Sequence, residues 1–569
     1  MRRLHLLLPF LLFGCAQNTD SNHFDIVIEN GRVVDGTGNA WFYGDVGIVA
    51  DRIAAITPAG VLSDADATQR IDATGLVVAP GFIDIQSHSR GALLYDDGRV
   101  ISKVTQGVTT EIMGENVSNA PVNANTLRAD GITSPERLEV AQTFAGEHGF
   151  DRWLTAMEAH GMSVNAGSFL GAATVRVYAK GEAEGAATPT ELDTMRTIMR
   201  NAMRDGAFGL ASALIYPPAS FISTDELVEV TTAMAPFGGL YITHMRSEAD
   251  KLLEAIDESI EIGQRAGVPV EIYHLKAAGQ RNWYKAALAV DRIQAARDAG
   301  MDVQADMYPY TAGGTGLTAA LPPWASADGL LFENISDPAT RERIRAEVAN
   351  PTSDWENLAE LATPEGVLLA GFDKEENQKY TGRRLSEVAA EMGIDWVTAA
   401  MDLILADSSG ISTIYFLMSE DNVEYQMRQP WMKFGTDAGG WDPETAEGLT
   451  HPRSYGTYPR ILGHYVREQG VMTLEEAVRK ITSAVATRLS IQDRGVLREG
   501  LFADVTVFDP ETIIDNATYA DPHQVSTGIR HVFVNGTAVL SGGVHTGAKP
   551  GRAVRGPGYT PRHTPRREE

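Results

Sequence analysis

The sequence predicts an α/β protein: a (β/α)8 barrel, with a small β-sandwich domain built from both chain ends. Short apolar runs alternate with helical patterns through the middle of the chain, which is typical of βα units around a parallel sheet. Both ends carry β-hairpin signals. The length of 569 residues suits a barrel of about 250 residues with added segments. The hydrophobic content of 43% and the charged content of 22% are globular values, so most of the chain can bury a core.

One βα unit is clear near the middle of the chain. An apolar strand at 239–243 is followed by apolar residues at helical spacing from Leu252 to Ile260, and Gly267 ends that helix. After Tyr308 this regularity is lost. We therefore expect an insertion at about 312–415, after the seventh barrel strand and over the site.

The two chain ends have the same kind of pattern. Asn30-Gly31 separates two apolar runs, and Asn535-Gly536 does so again near the other end; this dipeptide favours a two-residue hairpin turn. We expect residues 23–78 and 491–552 to form the sandwich domain and residues 79–490 to form the barrel. A tail, 553–569, follows.

The first 22 residues resemble a bacterial export signal. Arg2 and Arg3 precede a short apolar run, and Leu12-Phe13-Gly14-Cys15 resembles a lipobox, in which the cysteine is acylated. This predicts an exported protein of the periplasm, lipid-anchored through Cys15 by a tether. The alternative is an ordinary signal peptide with an incidental cysteine. Because Cys15 is the single cysteine, no intrachain disulfide can form.

The charge balance narrows the choice of partners. A formal net charge of −27 repels phosphate backbones, which argues against a nucleic-acid partner. No internal run reaches the roughly 18 apolar residues of a membrane span, so we expect membrane contact only through the lipid anchor. The oligomeric state stays open.

Residues that bind metals recur where the predicted strands end. The carboxyl ends of barrel strands converge on one face, and N and O ligands there suit Zn²⁺. Each residue alone has a simpler explanation: a lone histidine is more often structural, and Glu115 could cap a helix. Recurrence at five strand ends favours a metal site formed from His88, Glu115, His244, His274 and Asp437.

These blocks resemble a known family. Ala79-Pro-Gly-Phe-Ile-Asp84, the strand-end histidines and the late Gly-Thr-Asp437 are similar to the amidohydrolase superfamily. The resemblance narrows to the D-aminoacylase (N-acyl-D-amino-acid deacylase) branch and covers roughly residues 24–552. The specific blocks are VTQGVTT at 104–110, LIYPP at 214–218, ITHMR at 242–246, HLK at 274–276, YPY at 308–310, LPPW at 321–324, HPRSYGTYPR at 451–460 and RGVLREG at 494–500.

The resemblance implies a role for each matching position. His244 and His274 would hold the tighter zinc ion, and His88 is the second member of a His-x-His pair. Asp437 matches the catalytic aspartate. The positions that resemble the substrate pocket are Arg246, Lys276, Tyr308 and Thr315.

The chain departs from the family pattern at two places. Gln86 replaces the first histidine of the pair, which weakens a second metal site. Where well-known members have a bridging cysteine, this chain reads Gly114-Glu115-Asn116. Glu115 is the nearest anionic group, although Asn116 occupies the strict cysteine position. We favour Glu115 and therefore expect one Zn²⁺ per chain.

The expected activity is zinc-dependent deacylation of small N-acylated amino acids, with the D configuration implied by the resemblance alone. Two alternatives remain open. The chain could be another amidohydrolase, such as a D-dipeptidase or a cyclic-amide hydrolase. It could instead be a non-catalytic binding lipoprotein on a decayed barrel, although retention of His244, His274 and Asp437 argues against that.

Overall fold

The computed structural model describes residues 23–408 and 410–561; the predicted signal segment with Cys15, and the last eight residues of the tail, lie outside them. In the described ranges the strands are β1 (His23–Val33), β2 (Phe42–Val49), β3 (Arg52–Pro58), β4 (Asp66–Asp72), β5 (Val77–Pro80), β6 (Phe82–Asp84), β7 (Val108–Met113), β8 (Asn165–Ser168), β9 (Leu170–Gly171), β10 (Gly209–Ala213), β11 (Leu240–His244), β12 (Val270–Ile272), β13 (Val303–Met307), β14 (Ala312–Gly316), β15 (Val367–Gly371), β16 (Ser412–Phe416), β17 (Met432–Phe434), β18 (Val505–Phe508), β19 (Ile529–Val534), β20 (Thr537–Ser541) and β21 (Val544–His545).

The α-helices lie mostly between barrel strands and within the insertion. None of the described helices is long and apolar enough to cross a bilayer. They are α1 (Arg90–Leu94), α2 (Ile101–Val104), α3 (Ala124–Ala129), α4 (Pro135–Gln142), α5 (Gly149–His160), α6 (Ala172–Lys180), α7 (Pro189–Asp205), α8 (Thr224–Thr232), α9 (Leu252–Ala266), α10 (Lys285–Asp298), α11 (Leu331–Ser336), α12 (Pro338–Ala349), α13 (Leu358–Ala362), α14 (Leu385–Met392), α15 (Trp396–Asp407), α16 (Glu420–Met427), α17 (Arg453–Arg460), α18 (Leu474–Ile481) and α19 (Ser483–Arg488).

The barrel predicted from the sequence is present. Strands β6, β7 and β8 form one parallel sheet. A second parallel sheet has the strand order β9, β10, β11, β12, β13 and β17. Strands β8 and β9, consecutive in the chain, together occupy the third barrel position. A parallel bridge between Ser87 and Ala438 joins the first strand to the last. Because the strands run in one direction, their carboxyl ends all open on the same face.

Both chain ends contribute to one sheet. Among the described residues this sheet has nine strands, in the order β21-β20-β19-β18-β5-β1-β2-β3, with β4 beside β1. The antiparallel pairing of β5 with β18 joins the two ends. Ile28 and Val46 from the first end pack in one buried cluster with Val505 and Phe533 from the other.

The segment between β13 and β17 folds separately over the barrel mouth. Strands β14, β16 and β15 form an antiparallel sheet, and helices α11 to α15 pack around it. Its buried cluster includes Leu317, Leu369 and Tyr415, and is distinct from the main barrel core. This is the insertion expected after the seventh barrel strand.

Charged groups also lie inside the barrel, far from its mouth. Glu271 of β12 is fully buried and meets Arg488 Nε at 2.6 Å and Lys433 Nζ at 2.9 Å. Arg488 also contacts Asp302 at 2.8 Å. A buried pair adds little net stability as a whole, but losing one partner leaves an uncompensated charge in a low-dielectric interior.

We expect Arg488→Met to lower the free energy of unfolding by about 3–5 kcal/mol, because it leaves Glu271 partly uncompensated. The matched control is Arg292→Met, which removes an ion pair with Asp257 whose side chains are 45% and 50% exposed. That change should cost no more than about 1 kcal/mol. Chemical denaturation of both variants measures the difference; equal losses would contradict this account of Arg488.

Candidate metal centre

Three side chains from different strand ends meet at the mouth of the barrel. Glu115 follows β7, His244 ends β11, and His274 follows β12. Glu115 Oε1 lies 3.4 Å from His244 Nδ1 and 3.6 Å from His274 Nε2. All three side chains are nearly buried, with exposures of 7%, 8% and 2% for His244, Glu115 and His274.

This donor set fits a zinc ion. Bonds of about 2.0–2.2 Å in tetrahedral geometry separate ligand atoms by about 3.4 Å, which matches these distances. Burial raises the pKa of Glu115, but hydrogen bonds from His244 and His274 outweigh it and hold the pKa well below its ordinary range. An anionic oxygen between two imidazoles is therefore available to a cation.

Glu248 fixes the far side of His274. Its Oε1 lies 2.8 Å from His274 Nδ1 and 2.6 Å from Lys276 Nζ. Burial and Lys276 lower the pKa of His274, but the surrounding carboxylates of Glu248, Asp437 and Glu115 raise it well above its usual value. The same negative field would attract a metal ion in place of that proton.

Asp437 lies beside this cluster, in the loop that follows β17. Its Oδ1 lies 2.9 Å from His88 Nε2, and its Oδ2 lies 2.5 Å from Arg453 Nη1. Burial raises the pKa of Asp437, but the charges of Arg453 and then His274 lower it by more. The net pKa lies below its ordinary value, so the carboxylate is ionised at neutral pH. His88 Nε2 also lies 3.6 Å from Glu115 Oε2, which links the two carboxylates.

A cavity of about 190 Å³ contains this arrangement. It opens beside His88, Thr315, Asp437 and Arg453 into a groove of about 770 Å³ between the insertion and the loop after β17. Walls rich in glycine, serine and threonine leave space for a substrate larger than the reacting amide. The cavity itself is lined by His88, Glu115, Tyr216, His244, Glu248, His274, Lys276, Tyr308, Gly313, Gly314, Thr315, Leu358, Tyr415, Leu417, Asp437 and Arg453.

The structure brings together all but one of the predicted site residues within the described ranges. The exception is Arg246, which is not among the residues that line the cavity. Its guanidinium turns away and bonds Glu258 at 2.9 Å and the carbonyl oxygens of Ser220 and Ile222. The side chain is already satisfied by these fixed partners, so it holds the loop after β11 and does not line the cavity.

Sequence reasoning missed other residues that line the cavity. Arg453 lies in the HPRSYGTYPR block, but nothing in that block shows which of its side chains faces the site. Glu248 follows His244 by four positions on a loop, and nothing in the sequence shows that it turns back toward His274. Tyr216 belongs to the LIYPP block, and its ring centroid lies 5.3 Å from that of His244.

Comparison with known proteins decides the family. The amidohydrolase family profile matches residues 69–540. A D-aminoacylase of Alcaligenes xylosoxydans xylosoxydans is 35% identical over 545 residues, which cover 94% of this chain and 98% of that protein. The chain belongs to the amidohydrolase family.

Other relatives of this amidohydrolase have related names. An N-acyl-D-aspartate deacylase from the same organism is 33% identical, over 94% of this chain and 95% of that protein. A D-aminoacylase structure described for its binuclear metal centre is 32% identical, with a TM-score of 0.77 over 94% of this chain and 100% of that one. The N-acyl-D-glutamate deacylase of Bordetella bronchiseptica, solved with zinc and a phosphonate inhibitor, is 30% identical at the same TM-score and coverage.

Gln86 contacts the predicted metal ligand Glu115 in this amidohydrolase. Gln86 Nε2 donates a hydrogen bond of 2.5 Å to Glu115 Oε2. The Gln86 amide is thus hydrogen-bonded to Oε2 of Glu115, while Oε1 faces His244 and His274. Asn116 has a left-handed backbone, φ 60°, and it is the carboxylate of Glu115 that lies between the histidines.

The insertion reaches this centre through Glu356. Its Oε2 accepts hydrogen bonds from Ser247 Oγ at 2.7 Å and from the Glu248 and Ala249 backbone N–H groups at 2.8 and 3.1 Å. Burial first, and then the nearby Glu248 carboxylate, raise the pKa of Glu356 to about 7. No described basic side chain forms an ion pair with it; Lys276 lowers its pKa only from a distance.

The sign of the resulting pH dependence follows from this raised pKa. The protonated form of Glu356 is favoured by folding, so its contribution is fully present below the ordinary pKa of 4.5 and is lost as pH rises through about 7. We expect Glu356→Gln to gain about 2.5 kcal/mol of unfolding free energy relative to the parent between about pH 5 and about pH 8. Urea denaturation at both pH values tests this, with the exposed Glu365→Gln as control; a pH-independent difference would refute it.

Proposed function

We propose that the protein is a zinc-dependent hydrolase that removes the acyl group from N-acyl-D-amino acids. The observation that carries the proposal is the meeting of Glu115, His244 and His274 beside the ionised Asp437. This arrangement has a cation site and a proton acceptor within one buried cavity. The decayed-barrel alternative would not be expected to keep both.

The chain's own residues divide the chemistry. Glu115, His244 and His274 would hold the ion, which when bound supplies a Lewis acid that polarises the scissile carbonyl and acidifies a water. Asp437 accepts the proton of the attacking water and then delivers it to the leaving amine nitrogen. His88, 2.9 Å from Asp437, orients that carboxylate toward the cavity.

Three side chains are placed to receive the α-carboxylate of the substrate. Arg453 lies with its guanidinium carbon 4.6 Å from the centre of the Tyr308 ring, and Lys276 Nζ lies 5.6 Å from the same ring. A carboxylate bound among Lys276, Tyr308 and Arg453 would hold the substrate amide at a fixed place relative to Asp437. Its contribution to catalysis would be the orientation of the reacting groups. The D configuration is supported by the names of the relatives, which act on N-acyl-D-amino acids.

We further propose a single zinc ion per chain. Gln86 stands where a second imidazole ligand would be needed, and its amide donates to the free oxygen of Glu115. The amide N–H of Gln86 would therefore point toward a second cation at this oxygen and weaken its binding. His88, Glu115 and Asp437 remain close enough to form a weaker second group.

The cellular location is a separate proposal that rests on the N-terminal sequence. The basic residues, apolar run and lipobox ending at Cys15 support export to the periplasm and anchoring by a lipid.

The function is tested on the purified, zinc-loaded protein. We expect hydrolysis of N-acetyl-D-amino acids, with little or none of the L enantiomers. Asp437→Asn should lose at least about 10³-fold in kcat while its zinc content persists, because the proton acceptor is gone and the ligands remain. Full activity of Asp437→Asn removes this residue from the mechanism, and turnover of hydantoins or dipeptides in place of acyl amino acids assigns the site to another amide.

The metal count is tested by restoring the histidine pair. Gln86→His supplies an imidazole beside His88 and removes the amide proton from Glu115, so zinc per chain should rise from near one toward two. Metal analysis after dialysis measures this, with Gln106→His, a buried glutamine outside the site, as control. Two ions already bound by the parent would contradict the single-ion proposal.

A further inference from the structure

Lys103 is a fully buried cation that the proposed mechanism does not use. It lies in α2, behind the first barrel strand, and its side chain is 0% exposed. Its Nζ donates to Asp84 Oδ2 at 2.7 Å, to Thr436 Oγ1 at 2.5 Å and to the Ala438 carbonyl at 2.7 Å. An ammonium group has three N–H donors, so these three acceptors use all of them, and the buried Glu111 carboxylate adds a further ion pair at 3.5 Å.

The acceptors lie on either side of Asp437. Thr436 precedes it in the chain and Ala438 follows it, so one ammonium group holds both neighbours. Asp84 adds to this grip, because it accepts from the Thr436 backbone N–H at 2.9 Å and from the Thr436 hydroxyl at 2.6 Å. Asp437 itself donates its backbone N–H to the Gln86 carbonyl at 2.8 Å.

Asp437 needs such support, because its backbone is strained. Its φ is 49°, in the left-handed region that residues with a Cβ seldom adopt. A conformation of this kind persists only where surrounding contacts enforce it. Relaxation of φ would rotate the carboxylate away from His88 and Arg453, which hold it at 2.9 and 2.5 Å.

We propose that Lys103 is a positioning residue, which clamps the backbone on both sides of Asp437 and so aims its carboxylate at the reacting water. The inference rests on the proposed function for the role of Asp437. Lys103 itself touches neither the cavity lining nor the ligand atoms of the metal centre. Its effect is transmitted through Thr436 and Ala438.

The chain provides a control for burial of an ammonium group, with a weaker ion pair: the carboxylate nearest Lys480, that of Glu476, is 3.9 Å away and 33% exposed. Lys480 in α18 is 1% exposed, and its Nζ donates to the carbonyl groups of Met427 and Gln429 at 2.7 Å each. These partners lie outside the site. Lys103→Met and Lys480→Met thus each remove one buried cation that holds backbone carbonyl oxygens, but only the first should affect Asp437.

The experiment compares both variants as full-length, zinc-loaded protein on N-acetyl-D-leucine. We expect both to unfold at a lower temperature and to retain zinc. Per folded, zinc-loaded molecule, Lys103→Met should lose about 10²-fold in kcat with KM nearly unchanged, because the base is misplaced while substrate contacts remain. Lys480→Met should keep the parent kcat. Equal kcat values for the two variants overturn the proposal.

Two further measurements keep the test decisive. If Lys103→Met does not fold, Thr436→Val removes the hydroxyl that links Lys103 to Asp84, and Thr436→Ser restores it; kcat should fall in the first and recover in the second. A crystal structure of Lys103→Met, or of Thr436→Val in its place, separates this inference from the proposed function, since it needs no activity. Asp437 should leave its left-handed φ and its contact with Arg453; an unchanged Asp437 refutes the clamp, whatever the enzyme hydrolyses.

Discussion

The contact on which the site depends is that between one carboxylate and two imidazoles. Glu115, His244 and His274 come from three distant strands, and they meet because parallel strands of a closed barrel end on the same face. Burial would ordinarily favour the neutral carboxyl group, but the imidazole partners keep Glu115 ionised. Without that ionised oxygen, the neighbouring histidines would present only neutral donors to a cation.

The rest of the site is arranged to preserve this balance of charge. Glu248 compensates Lys276 and orients His274, while Arg453 compensates Asp437. Two acidic and two basic groups therefore surround the ligands in nearly neutral pairs. A substrate carboxylate that joins Lys276 and Arg453 would compete with partners already in place, which makes its binding sensitive to the exact reach of each side chain.

Some of this could be predicted from the sequence and some could not. Alternating apolar runs and helical spacing predicted the barrel, and the strand-end positions of Glu115, His244, His274 and Asp437 predicted their convergence. The neighbouring residues in the sequence do not determine where a long side chain points, because its partners come from distant parts of the chain. Arg246 was therefore expected in the pocket but bonds Glu258 and two carbonyl oxygens, and Glu248 and Glu356, which act through contacts across the fold, carried no sequence signal.

The joining of both chain ends in one sheet has a consequence for biosynthesis. Strand β5 near the start of the chain pairs with β18 near its end, and residues 550–556 then hydrogen-bond across the third and fourth barrel positions. These contacts cannot form until nearly the whole polypeptide has left the ribosome. The nascent chain is thus kept from completing its native state until its last strands have been synthesised.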